Sequence, residues 1–333
     1  MKNGIYIYGI IKTSDPQEFG NIGIGDEATR VQTIEFKDVA AVVSRCPFTV
    51  YDSLGKEKIV KDLVMHQFVL ERVMERFTVI PVKFGTMVET EDEAIKFLVE
   101  GYSLLSNELC KGEERIELDV VASWELSKIL PTMYRYNDQI QVKQSEIALQ
   151  GNKASLEEKI ALGKLIEQAL MTTKADYHQM ILQTFNTITI DTCLHDLADE
   201  QMIFNGAFLL EKKNEESFNQ LINSMDLKLE NTVNFRMVGP LPPYSFSTIV
   251  FKKIDPRKVE EAKGILELEG DLTEKTVRDA YHRLAQKYHP DTSSGAEAAH
   301  FPHIHSAYRT LKNFIENGLM HVEIYQWEKN GTS

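Results

Sequence analysis

The chain has 333 residues, of which 43% are hydrophobic and 26% charged, and a formal net charge of −13 at pH 7. This length suffices for two or three globular domains. The acidic balance argues against a nucleic-acid-binding protein, which needs Lys and Arg to neutralise phosphates. Cys46, Cys110 and Cys193 are too few and too far apart for a disulfide framework or a zinc site. No stretch approaches the roughly 20 apolar residues of a membrane-spanning helix, so we expect a cytoplasmic protein without a membrane partner.

Residues 1–135 are predicted to form an α+β domain. Runs of β-branched and aromatic residues, bounded by Gly, Asp or Pro, predict strands at residues 4–11, 31–36 and 39–44. The pattern then changes to a helical period, with an apolar stripe of Ile59, Leu63, His66, Val69, Leu70 and Val73. Two further strand patterns, at residues 78–88 and 114–125, flank a helix with acidic residues in its first turn.

Residues 136–186 are predicted to be a helical connecting segment, and residues 187–255 a second α+β domain. The connecting segment carries an apolar stripe at helical spacing with charge on its other face. The patterns that follow it have the order strand, strand, helix, strand, which suits helices on one face of a sheet. The octamer GPLPPYSF at residues 239–246 contains three prolines, which do not suit a central strand. We expect a rigid bend that leads into an edge strand at residues 247–251.

Residues 256–317 have a helical pattern without a strand signal, and residues 318–333 are expected to be a tail. Thr273 suits the N-cap of a helix that carries Val277, Tyr281 and Leu284 on one face. The tripeptide His-Pro-Asp ends this helix, because proline cannot continue it.

Two patterns follow each other in this helical region. The first is RDAYHRLAQKYHPD at residues 278–291, and the second is F-x-x-I-x-x-A-Y-x-x-L at residues 301–311. Together they resemble the J domain of DnaJ-type co-chaperones, over about residues 257–317. The resemblance implies that the loop between two antiparallel helices contacts a DnaK-type chaperone. The residues that it would place in this contact are His289, Pro290 and Asp291, with Arg278, Arg283 and Lys287 on the preceding helix.

The region departs from the J-domain pattern in both of its first two helices. Asp279 and His282 stand where the second helix is commonly basic, and Ala262 and Lys263 replace an expected Tyr pair. A basic helix steers the domain towards an acidic chaperone surface. An alternative therefore stays open, in which the hairpin serves only packing or assembly.

The remaining chain contains four distinctive stretches in a fixed order. They are IYIYGII at residues 5–11, TVIPVKFGTMVETEDEAIKFL at 78–98, FNGAFLLEK at 204–212 and VGPLPPYSFSTIVF at 238–251. They resemble the GvpF/GvpL family of gas-vesicle proteins over about residues 4–252. This resemblance implies two α+β domains, the second with a modified ferredoxin-like fold. A structural role is expected for the motif residues Gly239, Pro240, Pro242, Pro243, Tyr244 and Phe246.

The sequence does not predict an enzyme, a metal site or a cofactor. Three histidines within residues 300–305 lack the further ligands that would complete a metal set. His66 is expected to be a hydrogen-bonded core residue. Glu117 and Asp119 fall on one strand face and are expected to be solvated or salt-bridged. Tyr6, Tyr8 and Trp124 are expected to lie in the core.

Two functions remain in view. The first is a gas-vesicle assembly protein that binds the hydrophobic shell protein GvpA and other gas-vesicle proteins, and that recruits a DnaK-type chaperone through the J-like region. The second is a general J-domain co-chaperone whose body binds clients unrelated to gas vesicles. Neither hypothesis involves nucleic acid. The first places the protein in the cytoplasm and at the gas vesicle.

Overall fold

The computed structural model describes residues 3–25, 29–51, 54–289 and 300–326. The described chain packs into two compact units. The first unit runs up to Cys110 and resumes at Ile249–Tyr325, and the second unit is Lys111–Thr248. The chain therefore leaves the first unit, builds the second one, and returns to the first. Among the described residues, no helix combines the length and apolar character needed to span a membrane.

A sheet of six strands forms the centre of the first unit. The strands are β1 (Asn3–Lys12), β2 (Glu18–Gly23), β3 (Thr29–Phe36), β4 (Val39–Pro47), β5 (Val79–Pro81) and β6 (Met87–Val88). They lie in the order β2-β3-β4-β1-β5, and β6 also pairs with β1. All residues of β1 between its two terminal positions are buried. Such a continuous buried run is typical of a strand that is covered on both faces.

Two helices, α1 (Lys56–Met74) and α2 (Glu91–Gly112), pack in the first unit. α2 contributes Phe97, Leu98 and Leu105 to a core shared with Ile5 and Ile7 of β1. The buried residues of α1 are Asp62, His66, Val69, Leu70 and Val73. The prediction that the apolar residues of this helix are buried was wrong at Leu63, which is 45% exposed. Asp62 is buried in its place because it accepts a hydrogen bond from the Tyr51 hydroxyl at 3.0 Å.

The second unit contains four strands and four helices among its described residues. In chain order they are β7 (Arg115–Trp124), α3 (Leu126–Tyr136), α4 (Asp138–Gln150), α5 (Leu156–Phe185), β8 (Asp191–Leu194), β9 (Met202–Glu211), α6 (Glu215–Lys228) and β10 (Val233–Leu241). The sheet has the order β10-β7-β9-β8 with antiparallel neighbours. This is a βαββαβ arrangement of the ferredoxin-like kind, in which three helices replace the usual first one. The modified ferredoxin-like fold is thus confirmed.

The domain boundaries expected at residues 135 and 186 do not coincide with those of the structure. β7, which had been assigned to the N-terminal domain, is a central strand of the second sheet, because its hydrogen bonds go to β9 and β10. α5 is not merely a connecting segment either. Its Phe185 ring lies 5.3 Å from the Phe208 ring of β9 and 4.8 Å from the Phe218 ring of α6.

The chain returns to the first unit through β11 (Thr248–Lys253), followed by α7 (Pro256–Ile265), α8 (Glu274–Tyr288), α9 (Phe301–Asn317) and β12 (Met320–Tyr325). β11 and β12 pair with each other, and the Ile254 amide donates to the Leu319 carbonyl at 2.8 Å. The three helices are therefore enclosed between two paired strands. The expected tail at 318–333 was wrong for β12, because Met320, Val322 and Ile324 pack against the core of the first unit.

Candidate functional site: the helical hairpin and the proline-rich turn

Helices α7, α8 and α9 have a small apolar core of their own. Its buried members are Val259, Ala262, Leu266, Val277, Ala280, Leu284, Ile304, Ala307 and Leu311. Thr273 caps α8, as predicted, because its hydroxyl accepts from the Thr276 amide at 3.2 Å. On the flank of the hairpin the Tyr281 and Tyr308 rings stack at 4.3 Å, which joins α8 to α9. The apolar residues that recur at helical spacing in the sequence therefore form the core of a helical hairpin.

The three predicted cations of α8 all lie on its surface. Arg278, Arg283 and Lys287 are exposed. The Arg283 guanidinium lies 3.2 Å from the Glu267 carboxylate, in a pair exposed enough to contribute little stability. Asp279 is exposed on the same helix. At about 100° of rotation per residue it projects between Arg278 and Arg283, so a negative charge interrupts the positive surface.

His289 marks the point where α8 ends. Its backbone is extended, with φ −64° and ψ 137°. Its ring meets the Phe301 ring of α9 edge to face, with 5.3 Å between the ring centroids. Pro290 and Asp291, the other two members of the tripeptide, lie outside the described residues. His289 therefore lies at the end of α8 and against the first residue of α9.

The octamer at residues 239–246 begins inside β10 and ends in a tight turn. Gly239 has φ +139°, and a Cβ at this position would lie 2.7 Å from Leu118 Cδ2 and 2.9 Å from the Glu117 carbonyl oxygen. Only glycine suits both the backbone angle and this close approach. The Pro243 carbonyl then accepts from the Phe246 and Ser247 amides at 3.1 and 2.8 Å. This closed turn delivers Phe246 into an apolar cluster.

That apolar cluster lies on the face of the second sheet opposite α5. Phe246 is 8% exposed and packs with Cys193, Ala207 and Leu209. Pro242 and Pro243 are buried as well. The turn is therefore packed against the sheet through its aromatic and proline side chains, which gives these motif residues a structural part.

Glu117 of β7 lies under the same turn, and its expected solvation was wrong. Only 1% of it is exposed, and its carboxyl group accepts from the Ser245 amide and hydroxyl, both at 2.9 Å. Burial raises the pKa of Glu117, and neighbouring Asp119 raises it further. Burial raises the pKa of Asp119 as well, while His195 opposes that rise. Burial and the neighbouring acid thus both favour the neutral form of the Glu117 carboxyl group.

Comparison with protein-family models decides the membership of the chain. The model for the gas vesicle synthesis protein GvpL/GvpF matches residues 4–248, and the DnaJ domain model matches residues 264–315. The first match covers most of the chain. The chain belongs to the GvpL/GvpF family. It carries a J domain in addition, in the segment that forms α8 and α9.

Individual relatives agree with this assignment. Gas vesicle protein F of Nostoc sp. (strain PCC 7120) is 27% identical over 256 residues, which are 75% of this chain and 100% of the relative. The crystal structure of GvpF from Anabaena sp. PCC7120 has a TM-score of 0.56 at 24% identity and covers 73% of this chain and 94% of that one, a likeness of fold. The DnaJ-related protein SCJ1 of Saccharomyces cerevisiae is 45% identical over 52 residues, 15% of this chain and 14% of the relative.

The GvpL/GvpF part also contains a buried polar group at its N-terminal sheet. The Tyr6 hydroxyl accepts from the Gly85 amide at 3.0 Å and lies 3.0 Å from His66 Nδ1. Since the amide can only donate, the Tyr6 proton points to the imidazole, which accepts it in the neutral form. Burial lowers the pKa of His66 to about 3. The expectation of a hydrogen-bonded core histidine is thus confirmed.

Sequence reasoning missed two features of these sites. Burial of Glu117 depends on Ser245, which is 128 positions away along the chain, and no local pattern announces that contact. The second missed feature, strand β12, had a signal in the sequence, because Met320, Val322 and Ile324 alternate with polar residues.

No group of His, Cys, Asp and Glu among the described residues is arranged to hold a metal ion.

Proposed function

We propose that this protein assists gas vesicle formation by binding the hydrophobic shell protein GvpA and bringing it to a DnaK-type chaperone. The observation that supports this most is the combination, in one chain, of a GvpL/GvpF match at residues 4–248 and a DnaJ match at residues 264–315. The GvpL/GvpF part would bind the client, and the J domain would recruit the chaperone.

The physical need for such a pairing follows from the client. A small, very hydrophobic subunit exposes apolar surface before it joins a shell, and exposed apolar surface drives aggregation. A carrier that covers this surface and delivers the subunit to an ATP-driven chaperone keeps it competent for assembly. In this proposal the protein acts at the growing gas vesicle.

The hairpin geometry supports the chaperone half of the proposal. The exposed cations Arg278, Arg283 and Lys287 would steer α8 towards an acidic chaperone surface. His289 stands at the start of the contact loop. Asp291 would supply a charge-assisted hydrogen bond to a chaperone arginine. Because Asp279 weakens the positive surface, we expect a weaker contact than a fully basic helix would give.

A general co-chaperone function is the second candidate. The DnaJ match at residues 264–315 fits such a protein equally well, with a body that accepts unrelated clients. Purified GvpA and an unrelated unfolded protein, offered separately, distinguish the two candidates by which of them the full chain retains.

Single-turnover ATP hydrolysis by the host's DnaK-type chaperone tests the J domain. We expect the wild-type full chain to stimulate hydrolysis and Asp291→Asn to abolish the stimulation, with GvpA binding unchanged. The stimulation should weaken as salt rises, because exposed charges are screened beyond about 8–10 Å. If the wild type gives no stimulation at low salt, the hairpin is a packing or assembly element and the chaperone half of the proposal is wrong.

A further inference from the structure

The outer face of α1 carries a row of exposed apolar side chains, although the outer face of a surface helix is normally polar. Four of its side chains, Val60, Leu63, Val64 and Phe68, are 58%, 45%, 60% and 42% exposed, respectively. We call these four residues the α1 stripe. They recur at spacings of three and four residues, so they lie side by side along about 12 Å of helix. The opposite face of α1 already supplies the residues that this helix buries.

The α1 stripe is not needed to hold α1 in place. The buried residues Val69, Leu70 and Val73 are 0% exposed and fasten the helix to the first unit. The Tyr6 hydroxyl adds a hydrogen bond to His66 on the same buried face. The outer apolar side chains therefore contribute little to folding, and a contiguous apolar surface of this kind is typical of an interaction site.

Charge at the two ends of the α1 stripe distinguishes its possible partners. Lys56, Lys58 and Lys61 are exposed near its N-terminal end, and Glu57 is the exposed acid among them. The charges at the other end are mixed, because Arg72 pairs with Glu75 at 2.7 Å and the exposed Glu71 accepts from the Gln67 amide at 2.9 Å. The whole chain carries a net charge of −13, so a locally basic end stands out from its surroundings. A partner with carboxylates at one end is electrostatically complementary to this surface.

We propose that the α1 stripe is the docking site for an amphipathic helix of the client. That helix would be apolar along two to three turns and would carry carboxylates where it meets Lys56, Lys58 and Lys61. A helix lying on a helix matches side-chain ridges to grooves and presents apolar anchors at i, i+3, i+4 and i+7. The inference rests on the proposed function, because it names the surface that holds the client. α1 and the J domain belong to the same compact unit.

Synthetic helical peptides provide the probe. One 18-residue peptide carries a leucine stripe with glutamates at one end, and its matched partner carries lysines instead. Fluorescence anisotropy with the full chain should show the acidic peptide binding at least 10-fold more tightly. Changing Lys56, Lys58 and Lys61 to Gln should remove that preference. Equal or tighter binding of the basic peptide to the wild type would overturn the proposal.

Matched variants locate the site. Val64→Gln with Phe68→Gln should weaken binding of the acidic peptide at least 10-fold without changing the melting temperature, because both side chains are exposed. The control pair is Val142→Gln with Leu149→Gln on α4, where the side chains are 57% and 90% exposed. It should bind as the wild type does. Unchanged binding by the stripe variant, or an equal loss in the control, would refute the docking site.

Two further measurements separate this inference from the proposed function. If sedimentation shows a wild-type dimer that the stripe variant abolishes, a second copy occupies the face and the client-docking proposal is wrong. If the stripe variant retains purified GvpA as well as the wild type does, the client binds elsewhere and only the inference fails. If the wild type retains no GvpA, the proposed function fails as well.

Discussion

Glu117→Gln should stabilise the protein at alkaline pH and leave its stability nearly unchanged at pH 4. Burial and the neighbouring Asp119 raise the pKa of Glu117 to about 8 in the folded protein, whereas a carboxyl group in the unfolded chain titrates near pH 4.3. Below the unfolded pKa both states hold the proton, and Glu117 stabilises the fold fully. As pH rises towards 8 the unfolded chain releases the proton and the folded chain keeps it. The free energy of unfolding then falls by up to about 1.4 kcal/mol per pH unit.

Glutamine reproduces the protonated state without titrating. Its amide oxygen can accept from the Ser245 amide, and its amide nitrogen can donate to the Ser245 hydroxyl oxygen, which can turn to accept. The stability difference between Glu117→Gln and wild type should therefore grow from pH 4 to pH 8 and stay constant above that. Urea unfolding at pH 4, 6, 8 and 9 measures this difference. Trp124, which is 4% exposed on the same strand, reports unfolding there by its fluorescence, best measured with Trp327→Phe to remove the second tryptophan.

An exposed carboxylate of the same sheet supplies the control. Glu211 pairs with Lys213 at the surface, where such pairs contribute little stability. Glu211→Gln should therefore show no comparable growth of the stability difference with pH. The raised pKa would be refuted if Glu117→Gln differed from wild type by the same amount at every pH, or if it were the less stable protein at pH 8. In either case the carboxyl group would be ionised in the folded state.

Three further perturbations test the turn and the strand pair. Gly239→Ala should lower the free energy of unfolding by about 2–4 kcal/mol, because alanine is strained at positive φ and its Cβ would contact Leu118. Thermal unfolding measures this loss, and an unchanged midpoint would contradict the close approach described for Gly239. Pro242→Ala with Pro243→Ala should lower the melting temperature by several degrees, from a loss of roughly 1–2 kcal/mol. Replacing residues 256–317 with an Asn-Gly turn should leave the first unit folded, because β11 and β12 can then form a short hairpin. Circular dichroism measures the remaining structure, and an unfolded first unit would show that it needs helices α7, α8 and α9.

Much of the fold follows from local pattern, and the rest depends on contacts distant in sequence. β1 and α2 are recognisable because their composition and period are strong. Tyr6, Tyr8 and Trp124 lie in the core as predicted. β7 was recognisable as a strand, yet its sheet was not, because an alternating pattern does not name the strand with which it pairs. The expected domain boundary at residue 135 failed for this reason.

The sites show the same division. The J-domain pattern lies within 52 consecutive residues, and the Thr273 cap was predictable from local chemistry. The buried state of Glu117 was not, because a carboxylate beside Asp119 on a strand is normally solvated. It becomes buried when residues 242–246 fold over it and Ser245 satisfies its oxygens. The motif residues of this turn therefore affect the pKa of Glu117, although that residue lies on a strand remote in sequence.

The J domain lies in the chain between the paired strands β11 and β12, and it therefore belongs to the first unit. The Phe251 ring of β11 stacks on the Phe97 ring of α2 at 4.6 Å, and a Cβ at Gly101 of α2 would lie 2.5 Å from Val322 of β12. Both strands therefore pack against α2. Truncation after residue 255 would remove β12 as well as the J domain and would uncover this surface. GvpA binding without the J domain should therefore be measured on the variant in which a turn replaces residues 256–317, because that variant keeps β12. If the truncated chain lost binding, a missing client site could not be distinguished from a damaged first unit.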